Sequence, residues 1–246
     1  MAVFRPQANF PVPETDLLSY VFDSPYPHKA ESWQSSDPLL QSAHGPDYTG
    51  YTLEQIKDVA KLVGCGLHRL GTQGKHVALY GDGNLHFPLV FLGIIAAGSS
   101  CVLPTTRPPS GLAPFLDKSD TAFILFAPPV LDEVRAAAQH LKIPTEHLFM
   151  VDDSFTGSST SDGIRHWSYL LDTPGGASYQ WPRLSAQESK EITAVLFQTS
   201  GLVHYSSTSS RYYKLLTFHQ HNGHTQVGTK NAPWADWGHR AKVVVV

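Results

Sequence analysis

Cysteine is scarce in this chain. There are two in 246 residues, Cys65 in LVGCGL and Cys101 in SSCVLP, with no Cys-x-x-Cys spacing. Both lie in apolar surroundings and read as small buried hydrophobic side chains, which argues against a disulfide framework or a thiolate metal site and suits a reducing compartment. No apolar run reaches the roughly 20 residues a membrane-spanning helix needs; the longest is FPLVFLGIIAAG at 87–98. The opening MAVFRPQANFPVP has neither the apolar core nor the cleavage pattern of a secretory signal. Charge is modest too, with a formal net value of -3 and a pI near 6.5, which leaves no electrostatic footprint for nucleic acid or an anionic membrane. These features imply a soluble intracellular protein with no membrane span and no nucleic-acid partner.

Hydrophobic residues, at 41%, are enough for a packed core. Residues 1–50 are rich in Pro, Ser, Asp and His and read as an arm in which LLSYVFD (17–23) is a short ordered piece. Thr52 and Gln55 have capping-box spacing, and Leu53, Ile56, Ala60, Val63, Leu67 and Leu70 follow at three- and four-residue steps. The spacing predicts a helix over about 53–70, ended by Gly71. From Lys75 short apolar runs alternate with helical ones: HVALYG, NLHFPLVFLGIIAAG, SSCVLP, a helix from Ser110, AFILFAP, PVLDEVRAAAQHLK and HLFMVDD. Strands apolar at successive positions are buried on both faces, as in a parallel sheet covered by helices. The expected fold class is α/β: a layered, largely parallel sheet over 51–200. Pro88 suits the first turn of a helix near 84–97, Gly98 its end, and Pro129 the start of the helix that closes at Lys142. Residues 154–191 read as loop around a short HWSYLL element, and ITAVLF follows as a further strand.

Composition shifts at Gly201. The last 46 residues hold five basic residues against Asp236 alone, for a charge of +4, whereas the first 200 hold 13 basic and 20 acidic ones. No apolar period there lasts long enough for a confident element, so 201–246 is expected to be a divergent, poorly ordered tail. Within it FHQHNGH brings His219, His221 and His224 close in sequence, but no carboxylate or thiolate accompanies them. A cluster of histidines without such partners does not define a metal site, and none is assigned.

Strand ITAVLFQ runs into Thr199, Ser200 and Gly201. A strand ending in a small, hydroxyl-bearing, glycine-containing turn offers backbone N–H groups and hydroxyls to a phosphate. A phosphate loop also wants a cation, and the next lysine is Lys214.

The run GKHVALYGDGNLHFPLVFLGIIAAGSSCVLP and its continuation to MVDD resembles the N-terminal region of the adenylate-forming acyl-CoA and aryl-CoA ligases, the 4-coumarate-CoA-ligase-like group. The likeness covers about residues 12–201. Asn84, Pro88, Phe91, Gly93, Ala96, Ala97 and Gly98 carry the N-x-x-x-F-x-x-x-F-x-G-x-x-A-A-G-type helix and are packing residues, and LLSYVFD is similar to the N-terminal segment of fungal members. The resemblance implies the partial N-terminal subdomain of that fold. It implies ATP-dependent activation of a small carboxylic acid to an acyl-adenylate and then a CoA thioester, with ATP, Mg and CoA as cofactors and co-substrate. It also implies a phosphate loop of the form T-S-G-T-T-G-x-P-K, of which Thr199, Ser200 and Gly201 match the first three positions. This chain reads LVHYSSTSS beyond them, without the second glycine or the lysine.

The expectation is therefore a truncated, secondary-metabolism type of ligase, inactive alone, whose reading frame changes or retains an intron near residue 201. No catalytic residue is assigned. The VVVV ending is not a peroxisomal address, which ranks the cytosol above the peroxisome without fixing the compartment. A competing reading is a non-catalytic module that docks on a full-length homologous ligase or a pathway partner. A self-contained nucleotide enzyme using Ser200 lacks a general base and a metal set.

Overall fold

The computed structural model describes residues 15–23, 38, 40–41, 50–104, 111–160 and 162–198, together with the strands at 214–219 and 244–245. Helix α1 (Leu17–Asp23) and the two-residue strands β1 (Leu40–Gln41) and β2 (Gly50–Tyr51) come first. Then follow α2 (Leu53–Arg69), β3 (His76–Tyr80), α3 (Phe87–Ala96), β4 (Ser100–Leu103), α4 (Ala113–Lys118), β5 (Thr121–Phe126), α5 (Leu131–Leu141) and β6 (Leu148–Met150). Beyond these lie β7 (Arg165–His166), α6 (Ser168–Leu171), α7 (Ala186–Glu191), β8 (Thr193–Gln198), β9 (Lys214–His219) and β10 (Val244–Val245).

The main sheet has the order β10-β9-β8-β4-β3-β5-β6-β7. Its six strands from β8 to β7 run parallel, and β9 and β10 pair antiparallel at the other side. The expected parallel α/β sheet is thus present. Its inner strands β3, β4 and β5 are largely apolar because each face meets helices. Val77, Leu79, Cys101, Phe123, Leu125 and Phe149 join the core beneath α2 and α3, while Ala78, Tyr80, Val102, Ile124, Phe126 and Leu148 join the core beneath α4 and α5. Alternate residues of one strand serve opposite cores, as period-2 side-chain geometry requires. Cys65 and Cys101 are free and buried, and burial pushes the Cys101 thiol upward.

Helix α2 begins as the spacing predicts. The amide of Gln55 donates to Thr52 Oγ1 (3.3 Å) and the Thr52 amide donates to Gln55 Oε1 (2.8 Å). Its buried face is Ile56, Ala60, Val63 and Leu67, and full burial of a side chain such as Leu67 stabilises by about 1.5–3 kcal/mol. Helix α3 is apolar nearly all round because it lies between the sheet and α2. The two helices approach closely through small residues: a β-carbon on Gly93 would collide with Val63, and one on Gly64 would come within 2.7 Å of the Ala96 methyl. Gly71 and Gly98 follow the two helices with φ of 74° and 76°, the left-handed conformation expected of terminating residues.

Several elements differ from expectation. Pro128–Val130 forms a short 3-10 turn, so α5 starts at Leu131 and not at Pro129; Lys142 ends it with φ of 58°. The helix expected from Ser110 starts at Ala113. Residues 186–191, read as loop, form α7, opened by a capping box in which the Glu188 amide donates to Ser185 Oγ (3.2 Å) and the Ser185 amide donates to Glu188 Oε2 (2.8 Å). Past Gly201, where no confident element was expected, KLLTFH forms β9 by pairing with β8, from Gln198↔Leu215 to Thr193↔His219. That strand is completed by the hydrogen-bonding edge of β8, a partner that local periodicity does not contain.

Candidate functional site

In an open parallel sheet ligands commonly bind beyond the carboxyl ends of the strands, above all where strand order reverses. Here the reversal lies between β3 and β5. Gly81, at φ of 117°, leaves β3 so close to the end of β5 that a β-carbon would come 2.8 Å from the Ala127 methyl. The neighbouring start of α3 is also occupied. Asn84 Oδ1 accepts from the amides of His86 (3.0 Å) and Phe87 (3.1 Å), and Asp153 Oδ1 accepts from the Leu85 amide (3.3 Å). The Asn84 amide nitrogen donates to the Val151 carbonyl (2.9 Å), tying α3 to the chain leaving β6. Asn84, identified in sequence as a packing residue, is thus a cap and a clamp.

The candidate phosphate loop departs from the same edge of the sheet, two strands away. β8 pairs parallel with β4 through Cys101↔Val195, Val102↔Leu196 and Leu103↔Phe197, so both strands deliver their carboxyl ends together. Thr199, Ser200 and Gly201 come directly after β8 and lie outside the described residues. Lys214 is 13 residues beyond Gly201 in sequence, but it opens β9 next to the pair Gln198↔Leu215. The chain that leaves β8 therefore returns to the loop end of that strand with a lysine. Sequence reasoning missed this return; the available signal was the Leu-Leu-Thr-Phe run that follows the lysine.

At the far side of the carboxyl edge two buried histidines converge on Asp152. His86 Nδ1 donates to the Asp152 carbonyl (2.6 Å), which requires the proton on Nδ1; Nε2 then accepts from the Tyr51 hydroxyl (2.8 Å). His166 Nδ1 accepts from the Ser168 amide (3.2 Å) and hydroxyl (2.8 Å), so Nε2 carries the proton and donates to Asp152 Oδ1 (3.0 Å). Burial raises the Asp152 carboxyl, but hydrogen bonds from His166 and from the hydroxyl and amide of Ser154 outweigh it and hold the group below the usual carboxylate range. Burial, with the Asp153 charge adding to it, raises the Tyr51 phenol.

Ser168, His166 and Asp152 make a hydroxyl–imidazole–carboxylate chain, yet it does not form a nucleophilic centre. The Ser168 amide competes for the same ring nitrogen, and Gly157 packs so tightly on the imidazole that a β-carbon would overlap it. No room remains for a substrate at the ring. Among the described residues no group of three or more His, Cys, Asp or Glu side chains is arranged to hold a metal. His219 ends β9, and His221 and His224 lie outside the described residues. No helix among the described residues is long and apolar enough to cross a membrane.

No family model matches the chain. It is 22% identical over 196 residues to the acyl-CoA ligase azaF of Aspergillus niger, covering 78% of this chain and 35% of that protein. It has the same identity, over the same length, to the phenylacetyl-CoA ligase epaB of another Aspergillus niger strain, covering 34% of that protein. Among solved structures it superposes on the anthranilate CoA ligase AuaEII in complex with anthranoyl-AMP with a TM-score of 0.63 at 16% identity, over 85% of this chain and 36% of that one. The parallel sheet with flanking helices is therefore part of the adenylate-forming ligase fold. The chain is a distant, partial match to the N-terminal region of the acyl-CoA ligases and spans about a third of the length of the relatives it matches.

Proposed function

We propose that this chain is a degenerate N-terminal subdomain of an acid–thiol ligase, built for ATP-dependent activation of a small carboxylic acid as an acyl-adenylate and its transfer to CoA. The observation that carries the reading is the placement of the β8 exit. It lies at the carboxyl edge of a sheet that matches the ligase fold, beside the β4 exit, while the reversal point between β3 and β5 is shut by Gly81 and Ala127. Thr199, Ser200 and Gly201 begin the phosphate loop in this reading, and the pairing of β9 with β8 makes Lys214 the candidate for the cation that the linear spacing lacks. ATP and Mg are the nucleotide and ion such a loop would serve. The ion would neutralise charge on the phosphates, and backbone N–H groups of the loop would orient them.

The sequence LVHYSSTSS after Gly201 has no second glycine, so the loop cannot give the phosphates the same close backbone approach. Loss of preorganised donors of this kind costs about 2.7–4 kcal/mol of transition-state stabilisation apiece. We therefore expect nucleotide binding without turnover by these 246 residues. The test is ATP–pyrophosphate exchange with a panel of aryl and fatty acids, run beside equilibrium binding of a fluorescent ATP analogue with Mg. Saturable binding that weakens about tenfold in Lys214→Ala, with exchange at the blank level, is the expected result. Exchange above blank overturns the proposed inactivity, and no binding at millimolar nucleotide overturns the nucleotide reading itself.

A further inference from the structure

The sheet ends at β7, and the last strand of an open sheet presents a row of backbone donors and acceptors to whatever lies beside it. β7 pairs parallel with β6 through Phe149↔Arg165 and Met150↔His166, and the Trp167 amide donates to the Met150 carbonyl (2.9 Å). In such a ladder the residues that bond the neighbouring strand alternate with residues that face away from it. Arg165 and Trp167 therefore turn their backbone groups towards β6, while Ile164 and His166 turn theirs outward. Ile164 is 1% exposed, so water does not satisfy its amide and carbonyl and a protein partner must.

That partner is Thr160. Its amide donates to the Ile164 carbonyl (2.8 Å), and the Ile164 amide donates to Thr160 Oγ1 (3.0 Å). The first bond is one that a neighbouring strand would make. The second ends on a side-chain hydroxyl, while the Thr160 carbonyl is turned aside to accept from the Gly163 amide (3.0 Å), so no ladder can grow onward from it. The Thr160 hydroxyl hydrogen goes to the Asp162 carboxylate, which also accepts from Arg135 Nε of α5 (2.7 Å). Nearer β6, a β-carbon on Gly157 would come 2.4 Å from the His166 ring, and the Ser154 carbonyl accepts from the Trp167 indole (2.8 Å). The loop is thus fastened along the whole outer side of β7.

We propose that the Ser154–Thr160 loop, with its Asp162 tie, is an edge guard: it occupies the outer side of β7 and keeps the sheet from adding a strand of a second copy of this chain. A second copy is the partner because the groups beneath the loop are self-complementary. Ile164 and His166 each direct one N–H and one C=O outward, and two such edges can meet antiparallel about a two-fold axis. The cover offers no replacement edge. Residues 155–159 are exposed and read Phe-Thr-Gly-Ser-Ser, in which glycine and serine favour turns over strand pairing. β7 and the β8 exit lie at opposite ends of the parallel strands, so the guard does not depend on nucleotide binding.

Sedimentation velocity of the full chain over a dilution series, with hydrogen exchange on the same samples, tests this. Gly157→Val cannot keep the loop on the His166 ring, and Thr160→Ala deletes the hydroxyl that receives the Ile164 amide while leaving the amide of residue 160 in place. In each variant self-association should strengthen by about tenfold or more over the unaltered protein, with exchange at Ile164 and His166 slower in the associated sample than in the diluted one and β5 equally protected in both. Association no stronger than in the unaltered protein overturns the proposal, whether or not Ile164 exchanges faster. So does association that leaves Ile164 and His166 exchanging as in the diluted sample, because the contact then lies elsewhere, and so does association accompanied by lost protection in β5, which is general unfolding. If Gly157→Val fails to fold, Thr160→Ala decides alone.

Discussion

Gly93 of α3 sits directly against Val63 of α2, with no space between them for a β-carbon. The sequence resemblance marks Gly93 as a packing residue, and this contact shows what it packs against: it lets α2 approach α3 while α3 remains pressed on the sheet. Gly93→Ala must push the helices apart or move Val63 off its rotamer, and overpacking of this kind costs about 1–3 kcal/mol. A urea midpoint lowered with an unchanged slope is the expected outcome, and a midpoint equal to that of the unaltered protein would show that the interface yields freely.

The facing pair Gly64 and Ala96 permits a sharper test. A methyl on Gly64 would come within 2.7 Å of the Ala96 methyl, with Tyr179 Cε1 at 3.3 Å. Gly64→Ala should destabilise by an amount similar to Gly93→Ala, and Ala96→Gly on the same chain should recover part of the loss. Residues in contact show non-additivity of about 0.5–3 kcal/mol in such cycles. Strict additivity of the two changes would remove the steric explanation.

The two capping boxes share one hydrogen-bond pattern although they are not equally visible in the sequence. Thr52–Gln55 stands before a long amphipathic run and was read correctly from its spacing. Ser185–Glu188 has the same spacing but precedes a six-residue helix with little apolar periodicity, in a stretch dominated by Gly, Pro and Ser. Either Thr52→Ala or Ser185→Ala should cost about 0.5–2 kcal/mol, checked by thermal or urea unfolding. A null effect at Ser185 would mean that α7 contributes nothing to the cooperative unit.

The parallel sheet was legible because strands buried on both faces are apolar at successive positions, and because helices between them carry their own period. What could not be read were features made by distant partners. His86 meets Tyr51 across 35 residues and Asp152 across 66, so no local pattern marks either histidine as part of a cluster. β9 is invisible for the same reason, since its ladder exists through pairing with β8. Thr199, Ser200 and Gly201 are a candidate loop on sequence type alone and lie outside the described residues, while the return of the chain at Lys214 to the end of β8 depends on that pairing.

Helix α1 should detach selectively when one carboxylate is neutralised. Asp23 accepts from Lys57 Nζ (2.8 Å) and pairs with Arg183 (2.7 Å), while Phe22 packs on Trp181 with ring centres 5.6 Å apart. Asp23→Asn keeps the shape and removes the charge. Exchange protection of residues 17–23 should fall several-fold in the variant while that of α2 stays constant, because the partly exposed ion pairs add little to global stability. Equal protection of α1 in both proteins would assign its attachment to the Phe22–Trp181 contact.

Acid sensitivity follows from the carboxylates held below their usual range. For Asp152 burial works upward, but hydrogen bonds from His166 and Ser154 win; for Asp23 burial likewise works upward, and Lys57 and Arg183 win. A folded-state pKa below the unfolded value, about 3.9 for aspartate, means that the folded protein binds fewer protons than the unfolded one as pH enters this range. The stabilisation is then complete above the unfolded pKa and is lost progressively as pH falls through the folded one. Melting temperature should therefore drop more steeply below about pH 4 in the unaltered protein than in Asp152→Asn or Asp23→Asn, whose amides do not titrate. Parallel acid limbs in all three proteins would show that neither carboxylate holds a depressed pKa in the folded chain.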